Sequence, residues 1–231
     1  SIRNVSILIV SGFLAYLPIA TNSDRIFAHS YQLGSNLLAK SSPEKKSQPV
    51  IGKQGMVATS QHLATDVGVE ILKRGGNAID AAVAVGYALA VVDPCCGNLG
   101  GGGFMTLHLK NGKEVFINFR ETAPARSTPD MYVGGSKKSS REGYLAAGIP
   151  GTVKGLEYAL ANYGTMSRQK VMAFAVALAK DGFVLQSGDI KVLKRSAKKI
   201  KYEPEIAKIF QKDDGNPYQA GDRLIQKDLA Q

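Results

Sequence analysis

The long apolar segment between Asn77 and Pro94 constrains the fold more than any other feature of the sequence. Residues 78–92 are apolar on nearly every side of a helix, and a helix of this kind has to be buried. The Asn77 side chain can cap the first turn, and proline cannot continue a helix. The segment therefore predicts a central helix with other elements packed around it.

A glycine run and a hairpin follow this helix. Two apolar runs, residues 104–109 and 114–119, are joined through Asn111-Gly112, which predicts a tight turn with positive φ. The four consecutive glycines at 100–103 follow a helix and precede a strand, which is the reverse of the order in a dinucleotide-binding loop. We therefore expect a structural turn that lets backbone segments approach closely.

Arg120 lies at the end of the second predicted strand, beside Glu121. Its guanidinium is a planar fork with five donors, a geometry that suits bidentate binding of a carboxylate. Glu121 could hold the guanidinium in place. Because an arginine at a strand end is usually only solvated, the pattern by itself makes Arg120 a candidate binding residue and no more.

The rest of the globular part mixes short strands and helices. Residues 55–59 predict a strand, Leu63, Val67 and Ile71 predict a helix capped by Ser60, and residues after 186 predict short basic helical stretches. Two further helices are predicted at residues 151–163 and 167–180. Since the elements do not alternate as regular βαβ units, the predicted class is α+β.

The N-terminal part has a different character. Arg3 precedes an apolar run, and we predict a signal peptide or N-terminal anchor over residues 1–28 and a tether over 29–48. The globular part then covers 49–231. This arrangement predicts a periplasmic or secreted protein, with a buried N-terminal helix as the alternative reading of residues 1–28.

The net charge is +10, and the basic residues concentrate late in the chain. No aromatic ladder accompanies them, so we expect the solvated face of a helix, no nucleic-acid partner and no stable membrane partner. The cluster consists of Lys191, Lys194, Arg195, Lys198, Lys199 and Lys201.

Other candidate chemistry is sparse. Cys95 and Cys96 are adjacent, which is unfavourable for disulfide geometry, and two thiols are too few for a structural zinc site. His62 and His108 accompany no serine in a nucleophile-elbow pattern, so each is expected to be a surface or packing residue. The residue patterns thus predict no catalytic residue in this chain, no metal and no cofactor.

Several stretches, in unbroken order from about residue 50 to 231, together resemble the gamma-glutamyltransferase family. They include Gly-Gly-Asn-Ala-Ile-Asp-Ala-Ala-Val-Ala at 75–84, Gly-Gly-Gly-Gly-Phe at 100–104 and Phe-Arg-Glu-Thr-Ala-Pro at 119–124. The remaining stretches are Gly-Met-Val-Ala-Thr-Ser at 55–60, Asp-Met-Tyr at 130–132, Gly-Ile-Pro-Gly-Thr-Val-Lys-Gly at 148–155, Tyr-Gly-Thr-Met at 163–166, Asp-Gly-Phe at 181–183 and Gly-Asp-Arg-Leu-Ile-Gln-Lys-Asp-Leu-Ala at 221–230.

The resemblance implies an N-terminal nucleophile hydrolase with a layered αββα sandwich, incomplete in this chain, and the first part of a large subunit. In this family a precursor cleaves itself, and the new N-terminal threonine of the small subunit attacks the gamma-glutamyl amide of glutathione, its own amine acting as the base. Backbone donors of a glycine pair stabilise the oxyanion, and the acyl group passes to water or an amino acid. The resemblance assigns Arg120 to the α-carboxylate of the substrate.

No threonine of this chain matches the nucleophile motif, so we expect the chain alone to be inactive and its partners to be gamma-glutamyl compounds and the small subunit of the same precursor. A cephalosporin-acylase-like amide hydrolase is the alternative within the fold. A non-catalytic truncated secreted remnant or binding protein is the alternative in another class, and a basic nucleic-acid binder is the weakest reading.

Overall fold

The computed structural model describes residues 5–9, 13–17, 50–136 and 139–231, with the backbone alone for 5–9, 13–17, Lys199 and Lys201. The strands are β1 (Val5–Ile9), β2 (Phe13–Leu17), β3 (Met56–Ala58), β4 (Phe104–His108), β5 (Glu114–Asn118), β6 (Phe183–Val184) and β7 (Arg223–Leu224). The helices are α1 (His62–Lys73), α2 (Ala78–Val92), α3 (Thr152–Tyr163), α4 (Arg168–Asp181), α5 (Ser187–Tyr202), α6 (Pro204–Phe210) and α7 (Lys227–Ala230), with a 3₁₀ turn at Tyr144–Ala146.

Five strands form one antiparallel sheet in the order β3-β2-β1-β4-β5. The predicted hairpin is confirmed as β4 and β5, with Phe104 opposite Asn118 and His108 opposite Glu114. Gly112 has φ +81° in the turn, a backbone conformation that glycine adopts without strain. The sheet thus ends at β5, close to Arg120.

The two faces of the hairpin differ in burial. Met105 and Leu107 are fully buried against the helices. On the opposite face Phe104 and Phe116 stack with ring centroids 5.6 Å apart, and Phe116 is 62% exposed. One face of the sheet therefore forms the core, while the other presents aromatic surface.

Helix α2 is the centre of the core, as the apolar segment predicts. It contacts α1, α3, α4 and the backbone of β1 and β2. The OH of Tyr87 donates to Glu157 of α3 at 3.2 Å, and burial together with this carboxylate raises the pKa of Tyr87 to about 12. All-round contact explains why the helix has no polar face.

The first turn of α2 holds a buried carboxylate. Asp80 is 0% exposed, and its oxygens accept bonds from the backbone N–H groups of Asn77, Thr165 and Met166 at 2.7, 2.9 and 3.0 Å. The Thr165 hydroxyl donates at 2.6 Å. Asp80 therefore joins the start of α2 to the α3–α4 loop.

The C-terminal segment is fastened to the same core. β6 pairs with β7 through Phe183 and Leu224, and the side-chain amide of Gln226 donates to the Val91 carbonyl at 2.8 Å. The α5 helix is one continuous element of 16 residues, where the sequence suggested short stretches. The many lysines of α5 do not break the helix, because Ile190 and Ile200 on its other side are buried in the core.

Two further details of the sequence prediction are wrong. The N-cap of α1 is Gln61, whose side chain accepts from the Leu63 N–H at 2.6 Å, whereas the Ser60 hydroxyl donates to Asp93 at 2.6 Å. Cys95 and Cys96 are joined as a disulfide between neighbours, contrary to the expectation that they stay unpaired.

The mixed α+β class is confirmed: the described residues form a helical layer against a sheet. The predicted tether at 29–48 lies outside the described residues. Residues 5–9 and 13–17 are strands of the sheet, and their role as an export signal stays a prediction. Among the described residues, no helix combines the length and hydropathy needed to cross a membrane.

Replacing Asp80 by alanine tests the link between α2 and the α3–α4 loop. Asp80→Ala removes the buried acceptor of three partly buried backbone N–H groups, so we expect a loss of about 2–4 kcal/mol in the free energy of unfolding. Urea denaturation of the purified protein measures it. Asp66→Asn, at an exposed position of α1, is the matched control, and equal stability of the two variants would contradict the account.

Candidate functional site

Three backbone segments meet beside the hairpin and position Arg120. We call residues 101–103, 119–122 and 148–152 together the glycine frame. Gly103 and Phe119 exchange two backbone hydrogen bonds, of 3.1 and 3.3 Å, which extend the β4–β5 ladder beyond the strands. The predicted structural role of the glycine run is confirmed by this geometry.

The third segment closes the frame from the other side. Thr122 and Ile149 exchange two bonds of 3.2 and 2.8 Å, and the Gly101 carbonyl accepts from the N–H groups of Gly151 and Thr152 at 2.8 and 3.1 Å. The Arg120 backbone is therefore held between fixed residues on both sides.

Glycine is required where these backbones cross. A Cβ on Gly102 would lie 2.6 Å from the Phe119 carbonyl oxygen, and one on Gly151 would overlap that same oxygen. Gly155 faces the Phe119 ring in the same way. The frame is thus closely packed around residues 119–121, the segment that carries Arg120.

The Arg120 side chain leaves this frame toward solvent. Its backbone N–H donates to the Asn118 side chain at 3.0 Å, and its guanidinium carbon lies 6.0 Å from the centre of the Phe104 ring, within reach of a cation–π contact. The side chain is 59% exposed. Arg120 follows β5 by two residues, slightly beyond the predicted strand end.

Glu121 steadies the guanidinium from one side. Its Oε2 lies 3.4 Å from Arg120 Nε, close enough for charge attraction, but it is buried without a hydrogen-bond partner. Within the described part of the chain, no acceptor holds the two terminal nitrogens of Arg120. These nitrogens form the edge of the fork that can bind both oxygens of one carboxylate.

A cavity of about 150 Å³ lies behind the frame, between α2, the hairpin and α3. Its lining includes the polar residues Ser60, Asp93, Asn98 and Thr152, and the Thr152 hydroxyl donates to the Asn98 side-chain oxygen at 2.5 Å. Arg120 does not line this cavity. No sequence pattern singled out Asn98, because its role depends on contact with a residue far along the chain.

The cysteine pair borders the same cavity through Cys96. Asp93, Cys95 and Cys96 bring possible ligand atoms together, but disulfide sulfurs are not the thiolates that bind metals. The expectation of no metal in this chain stays a prediction.

The two histidines lie apart from Arg120. His108 pairs with Glu114 at 3.6 Å at the opposite end of the hairpin, and His62 contacts the Gln186 side chain at 3.3 Å. Both are exposed, and the structure does not bring either beside the glycine frame. The described residues therefore place no histidine base beside Arg120.

Comparison with known proteins gives a consistent result. A family model described as gamma-glutamyltranspeptidase matches residues 64–231. The chain is 52% identical over 186 residues to a protein named glutathione hydrolase proenzyme from Pseudomonas sp. (strain A14), a match that covers 79% of this chain and 32% of that protein. The chain thus spans about a third of the length of curated relatives of this kind.

Solved structures share the fold. Gamma-glutamyltranspeptidase from Helicobacter pylori aligns with a TM-score of 0.76 and 42% identity, over 79% of this chain and 54% of that chain. A cephalosporin acylase from Bacillus halodurans aligns with a TM-score of 0.70 and 28% identity, over 82% of this chain and 37% of that chain.

The close crossing at Gly151 makes a paired prediction. Gly151→Ala forces apart the backbones that hold residue 119, so we expect a loss of about 2 kcal/mol or more in the free energy of unfolding. Gly188→Ala, where an added Cβ meets nothing within 4 Å, should be neutral or stabilising by up to about 1 kcal/mol. Urea denaturation measures the free energy of unfolding of both variants. An unchanged stability of Gly151→Ala would contradict the close approach of the backbones at Gly151.

Proposed function

We propose that this chain is part of an enzyme that cleaves the gamma-glutamyl amide of glutathione, since it belongs to the gamma-glutamyltranspeptidase family. Within that family it corresponds to the N-terminal part of the large subunit. The enzyme passes the gamma-glutamyl group to water or to an amino acid. The relatives and solved structures above support this reaction class, and the isolated chain supplies part of the substrate site.

The observation that carries the proposal is the free guanidinium edge of Arg120. The glycine frame fixes its backbone, Glu121 balances its charge, and the two terminal nitrogens have no acceptor within the described residues. The α-carboxylate of a gamma-glutamyl compound is the group that this fork fits, since two parallel N–H···O bonds fix the orientation as well as the position of a carboxylate.

The attacking group comes from elsewhere in the precursor in this proposal. A threonine hydroxyl adds to the gamma-carbonyl carbon, the C–N bond breaks, and the departing amine takes up the proton that the hydroxyl lost. Water or an amino acid then displaces the threonine from the acyl group. No threonine of residues 1–231 matches this role by motif, so the chain alone should not turn over glutathione.

The exposed outer face of the hairpin supports a partner from the same precursor. Phe116 is 62% exposed and stacks on Phe104, which itself lies near the Arg120 guanidinium. Covering this face would bury aromatic surface and bring the partner's residues beside Arg120. We propose that the small subunit of the precursor provides this cover.

Two alternatives differ from the proposal in testable ways. A cephalosporin-acylase-like hydrolase would share the fold, but the identity of 28% to the acylase against 42% to the transpeptidase favours the gamma-glutamyl reaction. A non-catalytic secreted remnant would need no carboxylate fork. The periplasmic or secreted location is proposed from the apolar run in residues 1–28 alone.

Arg120→Lys in the full-length protein tests the fork. Lysine keeps the positive charge but loses the planar pair of donors, so we expect the KM for a gamma-glutamyl chromogenic substrate to rise about tenfold or more, equivalent to roughly 1.4 kcal/mol of binding. Steady-state kinetics measure this change.

Arg126→Lys provides the control, because Arg126 is also exposed and lies outside the glycine frame. Its kinetics should match those of the unchanged protein. Unaltered KM in Arg120→Lys would show that the substrate carboxylate is held by another group.

A further inference from the structure

One side of helix α5 carries a row of cations. The row consists of Lys191, Lys194, Arg195 and Lys198, which we call the basic stripe. Lys191 and Lys198 each lie three and four residues from the two members of the adjacent pair Lys194 and Arg195. At 100° per residue these positions lie within roughly 100° of arc, so they share one face of the helix. All four side chains are exposed.

The cations of the stripe have no anionic partners in the described part of the chain. Cations elsewhere do, such as Lys208 with Glu205 and Lys212 with Asp222, both at 2.7 Å. The one acidic residue of α5, Asp189, accepts from the Gln186 N–H at 2.7 Å at the start of the helix. The charge of the stripe is therefore left uncompensated at the surface.

The opposite side of α5 is already occupied. Ile190 and Ile200 are 8% and 6% exposed, and Leu193 packs against the core. The helix thus has no free apolar face to insert into a bilayer or a groove. Any partner of the stripe has to be held by charge, at the surface of the protein.

An aromatic side chain extends the row. Tyr202 continues the same helical face beyond Lys198 and is 78% exposed. From Lys191 to Tyr202 the row runs about 16 Å, given a rise of roughly 1.5 Å per residue. An exposed tyrosine with an apolar ring and a polar end suits the headgroup level of a membrane.

We propose that the basic stripe is a docking surface for an anionic phospholipid membrane. A straight row of flexible cations matches a plane of phosphate groups without a defined register. Nucleic acid fits less well, because no amide side chain lies in the row to read base edges and no aromatic rings alternate with the cations to stack bases. The association is peripheral and reversible, and it does not depend on the proposed enzymatic function.

Co-sedimentation of the full-length protein with lipid vesicles tests the proposal. We expect binding to vesicles of phosphatidylglycerol and phosphatidylethanolamine, and much weaker binding to phosphatidylcholine vesicles. The apolar run in residues 1–28 would contribute equally to both vesicle types, so their difference isolates charge. Binding should also fall at about 1 M salt, where the screening length is only ~3 Å.

The decisive variant changes all four cations of the stripe to glutamine, which keeps the helix propensity of the segment. Since each cation near an anionic surface contributes roughly a fivefold gain in binding, we expect at least a tenfold loss of the partition coefficient. A matched control changes the exposed residues Lys53, Lys110, Lys113 and Lys180 to glutamine, so that its net charge equals that of the stripe variant. This control should keep most of the binding to phosphatidylglycerol vesicles.

A third variant, with the three lysines of the stripe changed to arginine, should bind like the unchanged protein, and circular dichroism checks that every variant is folded. Failure to bind phosphatidylglycerol vesicles, or equal loss in the stripe variant and the control, would overturn the proposal. Tighter binding to duplex DNA than to these vesicles would also overturn it and assign the stripe to nucleic acid. Hydrolysis of a gamma-glutamyl substrate is measured in parallel, so that a failure of the membrane proposal can be told apart from a failure of the proposed function.

Discussion

The backbone hydrogen bonds of the glycine frame are the interaction on which the site depends. Gly101 and Gly103 bond to two segments that are distant in sequence, one around Phe119 and one around Gly151. Main-chain bonds at these distances require close approach, and a side chain on Gly102 or Gly151 would prevent it. The glycines thus hold the backbone around residue 119 in place, and this fixes the position from which the Arg120 side chain extends.

Within this fixed backbone, the side chain available for binding is that of Arg120. Arg120 stands beside a carboxylate and near an aromatic ring, while its outer nitrogens face solvent. Glu121 Oε2 is buried without a hydrogen bond, so its negative charge acts on the guanidinium without occupying the outer edge of the fork. This arrangement leaves the outer edge of the Arg120 guanidinium free for the carboxylate that we propose it binds.

Sequence patterns predicted the elements that depend on local chemistry. Helix α2 begins after Asn77 and ends at Val92 as expected, because its cap and its apolar length are both encoded locally, and the hairpin follows from Asn111-Gly112. The frame itself was beyond such reasoning, since Thr122 meets Ile149 only in the folded chain. Sequence patterns also missed the four hydrogen bonds donated to Asp80 and the disulfide between Cys95 and Cys96. Spacing along the chain does not reveal how the folded backbone orients these side chains. The role that we propose for Arg120 came from the family resemblance, because geometry alone offers several exposed arginines.

A crystal structure of the full-length protein with bound L-glutamate tests the central claim most directly. We expect the α-carboxylate to lie against the outer edge of Arg120, with each oxygen within hydrogen-bond distance of one terminal nitrogen. Residues 101–103 and 119–122 should keep their backbone pairing. A carboxylate held by other groups, with the Arg120 guanidinium left in solvent, would contradict it.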